Sequence, residues 1–388
     1  MTPPRVLIVA GSDSGGGAGI QADIRTVTML GGFAMTAVTA LTAQNTLGVE
    51  GVMAVPADFV IRQVEAVLSD IGADIIKIGM VGSAETAAAL AERLPDNVPV
   101  VFDPVMVATS GSTLADAATI AAFERLMGKA ALVTPNVPEL EALTGRRLDS
   151  LAAIEAAAAA LALRTKAVVL AKGGHLEGPT VVDLLVSPHA TVGRWESERI
   201  DTVHTHGTGC TLASAIATLL AFGLPLRAAV VRARQFVIMA LRDAPGLGGG
   251  HGPMGHHKVR LDLGGELRLN QVTLPAHDFD TSFRFYEALG LTAIVSSPPR
   301  YARFECEGGA TLSIELGGEA GSGGVYFECT DLDAVVAGLR GRGIEVADPA
   351  ERSWLWREAW LADPAGNRLC LYQADINRRF PPWRLPAR

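Results

Sequence analysis

The chain has 388 residues, beyond the roughly 250–300 at which a single hydrophobic core stops growing, so two domains are expected. A composition of 49% hydrophobic and 19% charged residues excludes a disordered chain, and a net charge of −8 gives no footprint for nucleic acid or an anionic membrane. No apolar run reaches the ~18–20 residues of a membrane helix, and Arg5-Val-Leu-Ile-Val-Ala10 opens without a signal-peptide pattern. Cys210, Cys306, Cys329 and Cys370 fall at no metal-type spacing and are too sparse for a disulfide framework, which points to the cytoplasm.

In chain order, short β-branched runs alternate with longer Ala-rich stretches up to about residue 245. Val6–Ala10, Ile75–Ile78, Val98–Phe102, Ala131–Thr134 and Val168–Ala171 read as strands buried on both faces. Ala84–Arg93, Ala115–Met127, Leu151–Leu163 and Cys210–Phe222 read as helices. That alternation predicts a mostly parallel sheet covered by helices on both sides, with ligands at the carboxyl ends of its strands. After a Gly- and His-rich stretch, Gly246–His257, the pattern changes. Val272, Asp278, Asp280, Gly290 and Leu291 recur 53 residues later as Val325, Asp331, Asp333, Gly343 and Ile344. Each copy reads as strand, Asp-capped helix, Gly and further strands, so the tail is expected to be an α+β domain of two tandem βαβββ units.

Two glycine elements stand where a ligand would bind. Gly11-Ser-Asp-Ser-Gly-Gly-Gly-Ala-Gly19 follows a strand and opens a helix, and fits neither the Walker pattern nor the dinucleotide fingerprint. It is either a ligand loop or a plain turn. Thr205-His-Gly-Thr-Gly-Cys210 runs into an apolar helix, so its amides and the helix N-terminus make an anion hole. A cysteine at that first turn is expected to have a lowered pKa and to serve as a base or nucleophile; the plainer reading is a cysteine packing a helix start.

Together with Asp23, Gln44, Lys77–Met80, Asp103-Pro-Val-Met106, Thr134-Pro-Asn136-Val-Pro-Glu139, Lys172-Gly-Gly-His175 and Gly250-His-Gly-Pro, these blocks resemble, in order over residues ~5–257, the hydroxymethylpyrimidine/phosphomethylpyrimidine kinases of the ribokinase-like superfamily. Met254-Gly255 ahead of His256 departs from the family's closing block. The resemblance implies a ribokinase-like three-layer sandwich that uses ATP and Mg2+ to phosphorylate 4-amino-5-hydroxymethyl-2-methylpyrimidine and then its monophosphate, acting as a homodimer. On it, Gly207, Gly209 and Cys210 would be catalytic; Lys172, Asn136 and Thr208 would hold ATP; Asp103 and Glu139 would hold the metal. Asp23 and Gln44 would offer an acceptor and an amide to the pyrimidine edge, with Gly11, Ala18, Met80 and Val107 around it. The nearest enzymatic rival is a pyridoxal/pyridoxine kinase.

Residues ~268–374 resemble the vicinal oxygen chelate superfamily of glyoxalases and bleomycin-resistance proteins, through the tandem repeat, Phe283–Leu291 and Asp363–Leu371. Lining up the repeat puts Gln271 and Glu315 on two of that family's four metal positions, and Val325 and Cys370 on the other two. The last pair does not suit a metal, so a metal-free binding module is expected. Trp354, Trp356 and Trp360 share strand parity and would make an aromatic platform or a pairing surface. A reading of another class makes this half a ligand-sequestering sensor. The domains are expected at residues 1–262 and 268–375.

Overall fold

Runs of Val and Ile have no polar side to turn to water, so they become strands where helices cover both faces of a sheet. The computed structural model of the protein describes residues 2–106, 114–174, 176, 178–259, 271–306, 310–317, 324–329, 332–353 and 355–373. It divides into two compact units, residues 1–263 and 264–388. Val107, His175, Asp331, Trp354 and the expected domain boundaries at 262, 268 and 375 lie outside the described residues.

The first unit begins β1 (Arg5–Asp13), α1 (Gly19–Met29), β2 (Phe33–Gln44), β3 (Val49–Ala54), α2 (Ala57–Asp70), β4 (Ile75–Ile78) and α3 (Ala84–Arg93). It continues β5 (Val100–Phe102), α4 (Ala117–Met127), β6 (Leu132–Val133), α5 (Val137–Thr144), α6 (Leu151–Thr165) and β7 (Val168–Ala171). The antiparallel pair β8 (Thr180–Val186) and β9 (Thr191–Glu198) precedes α7 (Thr208–Ala221) and α8 (Leu226–Arg242). The strands form one nine-stranded sheet in the order β3-β2-β1-β4-β5-β6-β7-β8-β9, parallel from β2 to β7 and antiparallel at both edges.

Alternate residues of β1 serve opposite layers. Leu7 and Val9 join a core with Ile76, Phe102, Phe123 and Leu161. Val6 and Ile8 join another with Val27, Ile216 and Phe236 from α1, α7 and α8. The result is the expected three-layer sandwich. Helix starts follow the capping chemistry: Ser83 and Ser150 accept from the third amide of α3 and α6, so those helices begin at the predicted residues.

The second unit repeats one pattern. β10 (Gln271–Ala276), α9 (Phe279–Ala288), β11 (Thr292–Ser297), β12 (Tyr301–Glu305) and β13 (Thr311–Leu316) are followed by β14 (Gly324–Glu328), α10 (Leu332–Gly341), β15 (Ala350–Glu351), β16 (Arg357–Ala362) and β17 (Arg368–Gln373). The two sheets have equivalent orders, β10-β13-β12-β11 and β14-β17-β16-β15, each with its first and last strand parallel. Gly290 and Gly343 follow α9 and α10 at φ 100° and 80°, a backbone region that glycine enters without penalty. One core, with Phe279, Phe304, Leu332 and Leu369 in it, draws on both repeats. The tandem βαβββ expectation holds. Among the described residues no helix is long and apolar enough to cross a membrane.

Candidate active site

The carboxyl ends of the parallel strands gather nearly every expected site residue that the structure describes. Lys172 follows β7, Asp103 follows β5, and Asn136 caps α5 just after β6. Lys172 Nζ lies 2.7 Å from Asp103 Oδ1 and 3.9 Å from Glu139 Oε2. Thr134 Oγ1 donates to the same Asp103 oxygen at 2.8 Å. Glu139 completes a capping box, its Oε2 accepting from the Asn136 amide at 2.8 Å while Asn136 Oδ1 accepts from the Glu139 amide. Burial drives the Glu139 carboxyl up to about 7, with Lys172 opposing and Asp103 reinforcing the shift. Burial would discharge Lys172, but the two carboxylates outweigh it and hold its pKa above the ordinary lysine value.

Asp103 and Glu139 thus face one cation between them, and their hard oxygens fit Mg2+. Among the described residues no group of three or more His, Cys, Asp or Glu could hold a metal. A divalent ion here would keep most of its shell in water and phosphate oxygens, as Mg2+ does.

The turn before α7 reaches the same place. Gly207 caps the helix at φ 81°, and a Cβ on Gly209 would stand 3.0 Å from Lys172 Nζ and 3.5 Å from Asp103 Oδ2. The helix leaves its first-turn amides, from Thr208 onward, without intrahelical acceptors. Cys210 lies in that turn, yet its thiol is not acidified. Burial pushes it up to about 11; Lys77 pulls it down, while Asp23 and Asp103 push it further up. The expected low pKa is corrected: burial and two nearby carboxylates outweigh the helix terminus.

The first glycine loop is organised by Asp13, a residue the sequence reading did not single out. Its carboxylate accepts from the amides of Gly15, Gly17 and Ala18 at 2.8, 3.1 and 2.8 Å, and sits 2.9 Å from His206 Nε2. Burial acts to raise its pKa, but these hydrogen bonds hold it below the usual carboxylate range. His206 Nε2 also lies 3.1 Å from the Gln44 amide at the end of β2. The loop and the turn interlock: a Cβ on Gly207 would stand 2.0 Å from Gly17 O, and one on Gly17 would stand 2.4 Å from His206 Cδ2. Gly11 is packed just as closely, its Cβ position 2.9 Å from Met80 Sδ.

Asp23 is a further correction. It is fully buried, its carboxylate accepting from Lys77 Nζ and Ser214 Oγ, each at 2.7 Å. It faces the interior and ties α1, β4 and α7 together beneath Cys210, so it is not an open acceptor for a ring. The signal in the sequence was Lys77 itself, a lone charge in an apolar strand, which survives burial only with a partner.

In the second unit, strand parity corrects the alignment of the metal positions. Val325 lies opposite Leu369 and packs toward the shared core, whereas Cys370 pairs with Tyr326. Gln271 lies opposite Thr311, and exposed Glu315 opposite Pro275, four residues or about 13 Å further along. Trp356 stacks on Tyr372 at 4.6 Å, Tyr326 meets Trp360 edge-on at 5.4 Å, and the Arg368 guanidinium lies 4.4 Å over Trp360. A turn closed by Leu355 N to Arg352 O precedes Trp356. Cys370 is fully buried, its thiol pushed up to about 12 by burial and by Glu358.

A doubly wound sheet with two interlocked glycine turns over a Lys–Asp–Glu cluster is the architecture of the ribokinase-like class. Residues 13–255 match the phosphomethylpyrimidine kinase family, and the chain belongs to that family. Residues 268–371 match the glyoxalase/bleomycin resistance protein/dioxygenase superfamily. The thiamine biosynthesis bifunctional protein of Geobacter sulfurreducens is 51% identical over 261 residues, 66% of this chain and 53% of that protein. The chain therefore spans about half the length of that relative. The hydroxymethylpyrimidine/phosphomethylpyrimidine kinase of Streptomyces coelicolor is 45% identical over 66% of this chain and 95% of its own. Among solved structures, an ADP complex of Bacillus subtilis pyridoxal kinase matches with a TM-score of 0.60 at 30% identity, covering 66% of this chain and 98% of that one. Phosphomethylpyrimidine kinase from Clostridium difficile matches with a TM-score of 0.53 at 36% identity, covering 61% of this chain and 98% of that one.

Proposed function

We propose that the chain transfers a phosphoryl group from ATP to 4-amino-5-hydroxymethyl-2-methylpyrimidine and then to the monophosphate of that alcohol. The kinase would occupy residues 1–262 and a non-catalytic binding module residues 268–375. The observation that carries this reading is the docking of the Gly17 loop, with Gln44 beside it, onto the Gly207 turn above Lys172 and Asp103. It brings an amide suited to an aminopyrimidine edge next to an anion hole and a cation.

Phosphoryl transfer asks a protein mainly to align the reactants and to neutralise spread charge. The amides after Gly207, through Thr208 and Gly209, would cradle the moving phosphoryl group. Lys172 would meet the ATP phosphates, and Asn136 would hold the nucleotide. Asp103 and Glu139 would hold Mg2+, which neutralises phosphate charge when bound. Gly11, Ala18, Met80 and Val107 would wall the pyrimidine. A thiol near 11 keeps its proton at neutral pH, so Cys210 would orient the attacking hydroxyl as a neutral partner rather than wait as a thiolate.

The four free cysteines fit a reducing cytoplasm, and half-exposed Val52 with exposed Met53 on edge strand β3 fits an apolar homodimer contact. A second reading, phosphorylation of pyridoxal, draws on the pyridoxal kinases among the similar solved structures. The deciding assay is transfer from ATP and Mg2+ to the pyrimidine monophosphate, read by mass. Diphosphate is the expected product; its absence, with pyridoxal phosphorylated instead, would transfer the assignment to the second reading.

A further inference from the structure

Hydrogen counting around Gln44 determines which way its amide faces. As placed, the nitrogen lies 3.1 Å from His206 Nε2 and the oxygen 3.2 Å from Thr42 Oγ1. Thr42 has a single hydroxyl hydrogen, and it goes to the Ser12 carbonyl at 2.9 Å, which can only accept. The second contact then sets oxygen against oxygen with no hydrogen between them.

A matching conflict arises at His206. Its Nε2 faces Asp13 Oδ2 at 2.9 Å, and Asp13 already accepts three backbone amides and is held in its ionised form. An ionised carboxylate has no hydrogen to give, so His206 Nε2 must carry one. A protonated Nε2 cannot accept from the Gln44 NH2. Rotating the amide by a half-turn removes the clash of two donors and the clash of two acceptors: Gln44 oxygen shares the one His206 Nε2–H with Asp13 Oδ2, and Gln44 NH2 donates to Thr42 Oγ1. Amide nitrogen and oxygen are assigned by this kind of network.

We infer that His206, fixed as an Nε2–H donor by Asp13, is a positioning residue that locks the Gln44 amide and so sets the donor–acceptor order offered to the substrate. The acceptor stands on the His206 side and the donor on the Thr42 side. One oxygen lone pair and one N–H remain free. They suit a ring whose exocyclic amine donates to the oxygen and whose adjacent ring nitrogen accepts from the N–H, as in a 4-aminopyrimidine. A 4-oxo analogue, with a ring N–H beside a carbonyl, presents the reverse order. The inference rests on the proposed contact between Gln44 and the pyrimidine.

The test compares kcat/KM for the 4-amino alcohol and its 4-oxo analogue in the full chain. The wild type should prefer the amine by about 10²-fold or more, because a reversed order leaves polar groups unpaired in the site. In His206→Gln, whose own amide can donate or accept, that preference should fall to roughly tenfold or less through KM, with kcat little changed. An unshifted preference in His206→Gln, alongside a raised KM in Gln44→Ala, overturns the inference alone. An unchanged KM for the pyrimidine in Gln44→Ala removes the contact beneath it, and the substrate-site reading with it. If His206→Gln fails to fold, 15N NMR of the wild type decides: a protonated His206 Nε2 upholds the lock, and an unprotonated one refutes it.

Discussion

Lys77 is a single ammonium group in a strand otherwise closed to water, and the 2.7 Å contact with Asp23 holds its charge there. Removing one partner of such a pair strands the other. Lys77→Met should therefore cost about 3–5 kcal/mol in urea unfolding, and Lys77→Met with Asp23→Leu should recover much of that loss. At the same scale, Cys210 titrates near 11. Its alkylation, followed by the mass of its peptide, should speed up roughly tenfold per pH unit between pH 8 and 10, whereas an acidified thiol would react at a flat rate over that range. Cys210→Ala should lower kcat by about 10²-fold or more with little change in stability.

His256 adds a pH-dependent stability term. It is fully buried, and burial lowers its pKa from 6.5 to about 4; its Nε2 meets Thr211 Oγ1 at 2.8 Å. Above pH 6.5 neither folded nor unfolded chain is protonated there, so nothing is lost. Below that, the unfolded chain takes up the proton first, and stability should fall by up to about 3 kcal/mol as the pH approaches 4. His256→Gln should flatten that part of the stability–pH curve.

Among the elements, the turn into α7 has little freedom. Gly207 needs positive φ, and any Cβ there meets the Gly17 carbonyl at 2.0 Å. Gly207→Ala should cut kcat/KM by about 10²-fold or more, a 1 Å misplacement of reacting groups being worth that much, while circular dichroism shows the helices retained. The glycine turns, the buried parallel strands and the capped helices were legible in the sequence, since each depends on neighbours a few residues away.

The antiparallel edges were not. Edge strand β3 is almost wholly exposed and half of β9 is too, and neither carries the buried β-branched run that marks the parallel strands. Asp13 and His206 escaped for a related reason: 193 residues separate them, and only the crossing of α1 and α7 makes them neighbours. The exchange of Val325 for Tyr326 opposite Cys370 is a one-residue slip, which reverses a strand's faces.

Across the whole molecule, the hydrophobic clusters fall within one unit or the other among the described residues. A chain cut after residue 263 should then keep its phosphotransfer rate within roughly twofold, as expected of a unit with its own core. A large fall in the truncated chain's kcat would mean that the second unit shapes the first. Within that second unit, two halves with the same strand order have diverged in chemistry. One sheet carries Thr273 and Ser313 hydrogen-bonded at 2.9 Å, and the other carries the aromatic group around Trp360. Duplication supplied the architecture, and the side chains made the halves unlike.

The contact between Lys172 and Asp103 also bears on the order in which ligands arrive. At rest the two charges cancel. An anion that captures Lys172 uncovers a buried carboxylate directly in front of itself, and the repulsion opposes its stay. On the proposed reading, nucleotide without a companion cation would be poorly held there, and nucleotide escorted by one would replace both partners in a single exchange. The contact would thereby select nucleotide that arrives together with its cation.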